Sequence, residues 1–395
     1  MMNDASAALV ALVLLEGCYL AHSVEDSDDA GPDAYIAVDA APELPDAGAL
    51  PVTPGCHRNL AFCDATRERY VFRRDRVRFG DIAASQSALL VAFDHGDEST
   101  LASLTPDLAL ISETPAPHLD WPEVAWHPGA QRGIAAGADV AIGLDERGRP
   151  TRTVEIRPFG LHAFRTTPVP VPSGFLLFVS PQSGGRLRGS YGALVPSELP
   201  ANISWDTFRE DVHASLRVVP ALDEFGYARA LGTGDFNTAS LVLWSIDGDR
   251  PGEIVYREPV GSGLEPEALL HQDDGLVMVR QSRVATAFSE VRGGEITESS
   301  FVDGERIGGP IQAFGNREAD ALAFPEGHLV AAQNHDNDLL ILRYQPDRDL
   351  VSTRISEAGF NRLMPRLAHT PLGYAVSYQC GPDAYCVESV NCCEP

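Results

Sequence analysis

Lysine is missing from this chain: all 30 of its basic residues are arginine. Arginine-rich codon usage accounts for that bias, and a functional meaning would require the guanidinium groups to be clustered. Basic charge is scarce as well, since 56 acidic side chains give a formal net charge of −26. So acidic a chain is not built to neutralise phosphates, which excludes a general nucleic-acid binder. No apolar run reaches the roughly twenty residues of a membrane-spanning helix. Long segments of helical period are also lacking. There is no Gly-x-Ser-x-Gly, which "RGSYG" misses by one place, no phosphate-binding loop and no dinucleotide fingerprint. Cys-x-x-Cys is absent too, so zinc ribbons and dithiol redox motifs are not indicated.

What remains is a chain of 395 residues with 44% apolar composition, enough for one large all-β unit or two smaller domains. Cysteines stand at 18, 56, 63, 380, 386, 392 and 393. The apolar run from Ala5 to Leu15 has the length of a signal-peptide core rather than of a span. It ends in "LEGC", with Leu15 at −3, Gly17 at −1 and Glu16 at −2, where a small or apolar residue is usual. This segment resembles the lipobox of bacterial lipoproteins. The resemblance implies a leader over residues 1–17, acylation of Cys18 and attachment to a membrane. Tyr19 after the cysteine is not the aspartate that retains many lipoproteins in the inner membrane, so the outer membrane is implied, with secretion as the alternative.

Residues 18–65 fit a tether. Eight acids and no arginine lie between Tyr19 and Gly55, amid Ala, Pro and Gly, and such a composition has little to bury against its ordering entropy. Residues 66–395 read differently, as short β-rich runs separated by Gly, Pro, Asp and Asn. An internal repeat is present: an apolar strand, a polar turn ending in Gly, and a second apolar strand. Its clearest copies are "EALLHQDDGLVMVRQ", "DALAFPEGHLVAAQN" and "RLAHTPLGYAVSYQ". The turn positions are Ser87, Gly133, Gly174, Gly226, Gly275, Gly327 and Gly373, spaced by 46, 41, 52, 49, 52 and 46 residues. Two more strand-like runs follow each pair, as in "DLLILRYQPDRDLVSTRIS". Four strands in about 40–50 residues is the size of a propeller blade. The expected fold is therefore all-β, a propeller of seven blades, with six or eight blades or a β-sandwich as alternatives.

The last repeat lacks its outer strand, while a surplus strand, "RYVFRRDRVRF" (Arg69 to Phe79), precedes the first blade. Pairing the two closes the ring and removes two open sheet edges. It also gives the cysteines partners. Cys380 and Cys386 bracket one hairpin loop and should form a local bridge, while Cys56 and Cys63 should join Cys392 and Cys393 in either order. A local Cys56–Cys63 bridge is the alternative, and it forces the four C-terminal cysteines to pair among themselves.

Chemistry is sparse. Arg67, Arg69, Arg73, Arg74, Arg76 and Arg78 form the one arginine cluster, suited to anionic glycan or lipid phosphate, or else to guarding an exposed strand. His127, His271 and His369 lie at corresponding places of three repeats, too far apart in a ring to share a metal away from its axis. No metal site is assigned. Calcium remains an option at the acidic turns "NHDND" (334–338), "DGDRPGE" (247–253) and "GDFN" (234–237). The reading is an exported, membrane-anchored, non-catalytic propeller that binds a protein or glycan. The alternative is a propeller hydrolase or lyase with scattered carboxylates in its central funnel. Peptide mapping of the unreduced chain should recover a fragment linking Cys56 or Cys63 to Cys392 or Cys393; recovery of local links alone would refute the clasp.

Overall fold

The structure is a computed structural model, describing residues 62–160, 162–181, 190–209, 218–223, 225–235, 240–257, 265–272, 275–281, 285–292, 295–303, 319–324, 327–333, 339–344, 351–356, 364–370 and 373–392. Within them, 28 strands form seven four-stranded antiparallel sheets. The chain first lays down β1 (Phe62–Arg73). Blade 1 follows as β2 to β5 (Val77–Ala84, Leu89–His95, Glu98–Leu104, Leu110–Ala116), and blade 2 as β6 to β9 (Glu123–His127, Arg132–Gly137, Val140–Leu144, Pro150–Glu155). Blade 3 is β10 to β13 (Ala163–Val171, Gly174–Pro181, Ser190–Pro196, Asp206–Arg209). Blade 4 is β14 to β17 (Val218–Leu222, Ala228–Asp235, Ser240–Asp247, Arg250–Arg257). Blade 5 is β18 to β21 (Glu265–Gln272, Gly275–Gln281, Ala285–Arg292, Glu295–Asp303), and blade 6 is β22 to β25 (Asp320–Phe324, Gly327–Gln333, Leu339–Tyr344, Val351–Ser356). Blade 7 combines β26 to β28 (Arg366–Thr370, Gly373–Gly381, Ala384–Cys392) with β1 as its outer strand.

Buried side chains show why this is a ring rather than a sandwich. The core is divided into seven clusters, and each straddles two consecutive blades. Val124, Trp126 and Ile142 of blade 2 meet Leu90 and Leu101 of blade 1, and Phe175 and Val195 of blade 3 meet Ile134 of blade 2. The series continues through Trp244 with Phe178, Leu243 with Leu269, Val279 with Val330 and Ile341 with Val376. It returns to its start where Tyr385 and Val387 of blade 7 pack on Phe93 and Val91 of blade 1. Strand alternation sends neighbouring side chains to opposite faces of each sheet, so both faces must be apolar. That explains the nearly continuous apolar runs of the second strands. First strands of most successive blades touch one another, which places them nearest the axis.

Closure is made by backbone pairing. β1 runs antiparallel to β28, with Arg69 opposite Glu388, Tyr70 opposite Val387 and Phe62 opposite Cys392. The donated strand differs from the expected one in its limits. It begins at Phe62, so Cys63 lies within it, and it stops at Arg73. Val77 to Phe79 already belong to the inner strand of blade 1. The break falls at Arg74–Arg76, where Arg76 takes a left-handed backbone (φ 58°) without help from Gly or Pro.

Cys380 and Cys386 are joined by the expected disulfide, with Cα atoms 5.7 Å apart. Cys63 and Cys392 sit on the paired strands β1 and β28, with Cys392 opposite the neighbour of Cys63. Their sulfurs, together with Cys18, Cys56 and Cys393, lie outside the described residues.

The antiparallel order puts the crossovers between blades and the second-to-third-strand turns on one face, here the crossover face. The other two turns of each blade lie on the hairpin face. At the seam, Gly80 permits close approach: an added Cβ would stand 2.4 Å from the Tyr385 ring. Gly80→Ala should therefore lower stability by about 1–3 kcal/mol through overpacking, read from the denaturant midpoint. Cys380→Ser should cost about 2 kcal/mol by releasing its short loop.

Candidate functional site

A polar chain runs along the inner strands near the crossover face. Asp81, Glu123, Asp320 and Arg366 hold corresponding places on β2, β6, β22 and β26, each followed by an apolar residue that packs against the preceding blade. By alternation their own side chains point to the following blade. Asp320 accepts a hydrogen bond from Leu367 N at 2.7 Å, and Asp81 accepts one from Val124 N at 2.7 Å. Arg366 lies 3.7 Å from Asp81, and Glu123 is bonded to Arg165 of blade 3. Blades 6, 7, 1, 2 and 3 are thus linked in sequence by charged groups.

Burial makes the Asp81 carboxylate costly to ionise. Desolvation raises its pKa to about 6; Arg366 opposes that shift and the Glu123 charge adds to it.

Outward from this chain the crossover face is aromatic. Trp121 stacks on Phe79 with ring centroids 3.8 Å apart, and the Arg165 guanidinium lies 5.5 Å from its ring. Trp121 has φ 55° and precedes Pro122, a pairing that sterics disfavour. Met364 repeats it at blade 7 with φ 43° before Pro365, and Phe159, with φ 52°, stands in the crossover from blade 2 to blade 3. Phe159 is 58% exposed and meets Tyr191 edge-on at 5.7 Å. Such left-handed non-glycine residues persist only where the surroundings hold them.

The same face holds two Asp–His pairs. Asp139 bonds His162, and Asp94 lies 3.2 Å from His118 Nδ1. Asp94, His118 and Asp120 each bring a ligand atom within 4.8 Å of the others. Burial raises the pKa of Asp94 to about 6, with His118 and Arg78 acting against the shift and Asp120 adding to it.

Among the described residues, those singled out from sequence do not gather into a second site. Arg69 lies over Tyr378 and reaches Cys386 Sγ and Glu388, Arg74 pairs with Glu113, and Arg76 donates its backbone N–H to Asp383. The arginine cluster is spread along an edge strand and its turn. His127 ends the inner strand of blade 2, and His271 and His369 stand next to last in the inner strands of blades 5 and 7. His127 is buried edge-on to Phe175 and Tyr227; its Nδ1 accepts Ala130 N, and Nε2 faces Pro172 O at 3.3 Å. Desolvation lowers its pKa, keeping it neutral. Asp247 pairs with Arg250 across a two-residue hairpin turn, and Asp249 accepts Ser173 N. The turn at 334–338 and the end of 234–237 lie outside the described residues.

No protein-family model matches the chain, and no curated protein does. Among solved structures it is similar to one chain in the crystal structure of a mitotic checkpoint complex. That similarity covers 94% of this chain and 100% of the other, with a TM-score of 0.53 and 13% identity. The likeness is one of fold. It agrees with the β-propeller that the sheets and cores already define.

Because the folded-state pKa of Asp81 lies above its unfolded value, its ionisation disfavours folding. Its contribution is unopposed below about pH 4 and declines as pH rises through about 6. Asp81→Asn keeps an acceptor for Val124 N and removes that decline. Its stability relative to wild type should therefore rise between pH 4 and pH 7 in chemical denaturation; a constant difference would show that Asp81 ionises freely.

Proposed function

We propose that the chain is an extracytoplasmic lipoprotein, held at the outer membrane through Cys18 or alternatively secreted, whose propeller is a non-catalytic binding or scaffold module for a protein or glycan. The supporting observation is the aromatic rim of the crossover face: Phe79 and Trp121 stacked beside Arg165, with exposed Phe159 against Tyr191 in the next crossover. Phe159 is exposed and Phe79 and Trp121 are half-buried, while Arg165 is buried against Glu123 and supports the Trp121 ring from within. Rings held at fixed angles lose little entropy when a sugar face or a peptide side chain packs on them. Among the described residues no helix is long and apolar enough to cross a membrane. Anchoring in this reading is through the lipid at Cys18.

The hydrolase or lyase reading has one specific observation in its favour. Asp81, with its pKa raised to about 6, lies close enough to feel the Glu123 charge, as an acid–base pair would. Against it, each carboxylate is already engaged by a neighbouring blade, Asp81 by Val124 N and Arg366, and Glu123 by Arg165. Groups so occupied act as clasps.

Two measurements test the proposal. Labelling with a fatty-acid analogue should mark the wild type and not Cys18→Ala; equal labelling refutes the anchor. A panel of immobilised glycans and cell-envelope proteins should retain the propeller without releasing fragments, and Trp121→Ala together with Phe159→Ala should reduce retention at least about tenfold. Release of fragments that stops in Asp81→Asn would establish the enzyme instead.

A further inference from the structure

Blades 1 and 2 use the same device at the crossover face and leave it in different states. In each, an aspartate near the second-to-third-strand turn, within β3 for Asp94 and in the turn itself for Asp139, meets a histidine in the crossover that follows. In blade 2 the carboxylate is fully used: Asp139 Oδ2 meets His162 Nδ1, while Oδ1 accepts a hydrogen bond from Ala163 N at 2.6 Å. In blade 1 the corresponding amide is diverted, because Leu119 N donates to Ser99 Oγ at 2.8 Å. Asp94 therefore lacks the bond its counterpart has.

Among the described residues, no group apart from His118 Nδ1, 3.2 Å from Oδ1, bonds the Asp94 carboxylate, although its side chain is fully buried and Oδ2 has no partner at all. Such a group is strongly unfavourable unless something positive completes its environment. Instead a second anion is directed at it. Two residues beyond the histidine, blade 1 has Asp120 where blade 2 has Phe164, and the Asp120 charge makes ionising Asp94 harder still. Arg78 is near enough to be felt, yet it makes no hydrogen bond to Asp94.

We propose that Asp94, His118 and Asp120 form a binding site for a divalent transition-metal ion of the zinc class. One nitrogen and two carboxylate oxygens suit zinc, cobalt or nickel, whereas calcium takes six to eight oxygens and magnesium prefers an oxygen octahedron. The 3.2 Å between His118 Nδ1 and Asp94 Oδ1 is close to the edge of a tetrahedron with bonds of about 2 Å. Asp120 completes three ligands by moving inward from its present distance, within 4.8 Å. His118 is 40% exposed, so a fourth position faces solvent and is open to water or to a ligand group. The buried aspartate is fixed by its strand, while the other two ligands come from one crossover. The ion would thus tie blade 1 to the loop that leads into blade 2. This inference does not depend on what the rim of aromatic rings binds.

The test uses the full chain in detergent, stripped with a chelator and titrated with zinc ions alone by calorimetry, with cobalt as a spectroscopic substitute. One equivalent should bind saturably and raise the melting temperature. Asp120→Asn and His118→Gln should each weaken that equivalent by more than about tenfold and abolish the tetrahedral cobalt absorption. His162→Gln, which alters the corresponding pair of blade 2, should leave both unchanged. Asp120 is a solvent-accessible loop residue and its replacement is isosteric, so this variant carries the test if His118→Gln fails to fold. Absence of saturable zinc binding, or identical binding by all three variants, would overturn the proposal.

Discussion

Everything else in this molecule depends on the pairing of β1 with β28. A propeller blade has apolar residues on both faces and cannot be stable unless a neighbour covers each of them. Six of the seven interfaces form between blades adjacent in sequence. The seventh joins blade 7 to blade 1, and it needs a complete last blade. The chain completes it with its first strand, which places Phe72 of β1 in the same core as Tyr385, Phe93 and Ile82. Loss of that pairing would expose the facing cores of blades 7 and 1 and leave unpaired strand edges, both of which favour aggregation.

The charged chain of the inner strands is best understood against that demand. Small inner-strand residues near the axis leave room for polar groups, and a carboxylate reaching a backbone N–H in the next blade fixes the rotation of one sheet against another. Apolar contacts are too nondirectional to do so alone. Asp320 and Asp81 make the same bond in two places, and Arg366 bridges the seam between them. The Asp81 carboxylate is poorly solvated, so its part of the clasp is sensitive to pH in a way that the surrounding apolar core is not.

The architecture was legible because repetition overrides weak local signals. Gly275, Gly327 and Gly373 mark equivalent turns, and each begins the second strand of its blade. The truncated final repeat and the surplus N-terminal run together imply the closure. The exact limit of β1 was not legible, because "RRDR" carries neither Gly nor Pro and Arg76 makes the turn by adopting a left-handed backbone. The acids of the inner strands were visible as the opening letters of several repeats, yet nothing in their spacing says that they reach into the next blade. Asp94 and His118 are separated by nearly the same interval as Asp139 and His162, a recurrence that sequence reading overlooked. Asp120 in place of Phe164 distinguishes the two pairs in the sequence itself; the diverted amide of Leu119 does not, because only the folded chain determines its destination.

The direction of β1 also gives the molecule a polarity. Arg73 lies at the end of β1 that leads into blade 1 on the crossover face, so Phe62, opposite Cys392, enters from the hairpin face. Trp121, Phe159 and the Asp94–His118–Asp120 group lie on the opposite, crossover face. A force separating Phe62 from Cys392 would be borne first by the hydrogen bonds between β1 and β28, the same bonds that hold the ring shut.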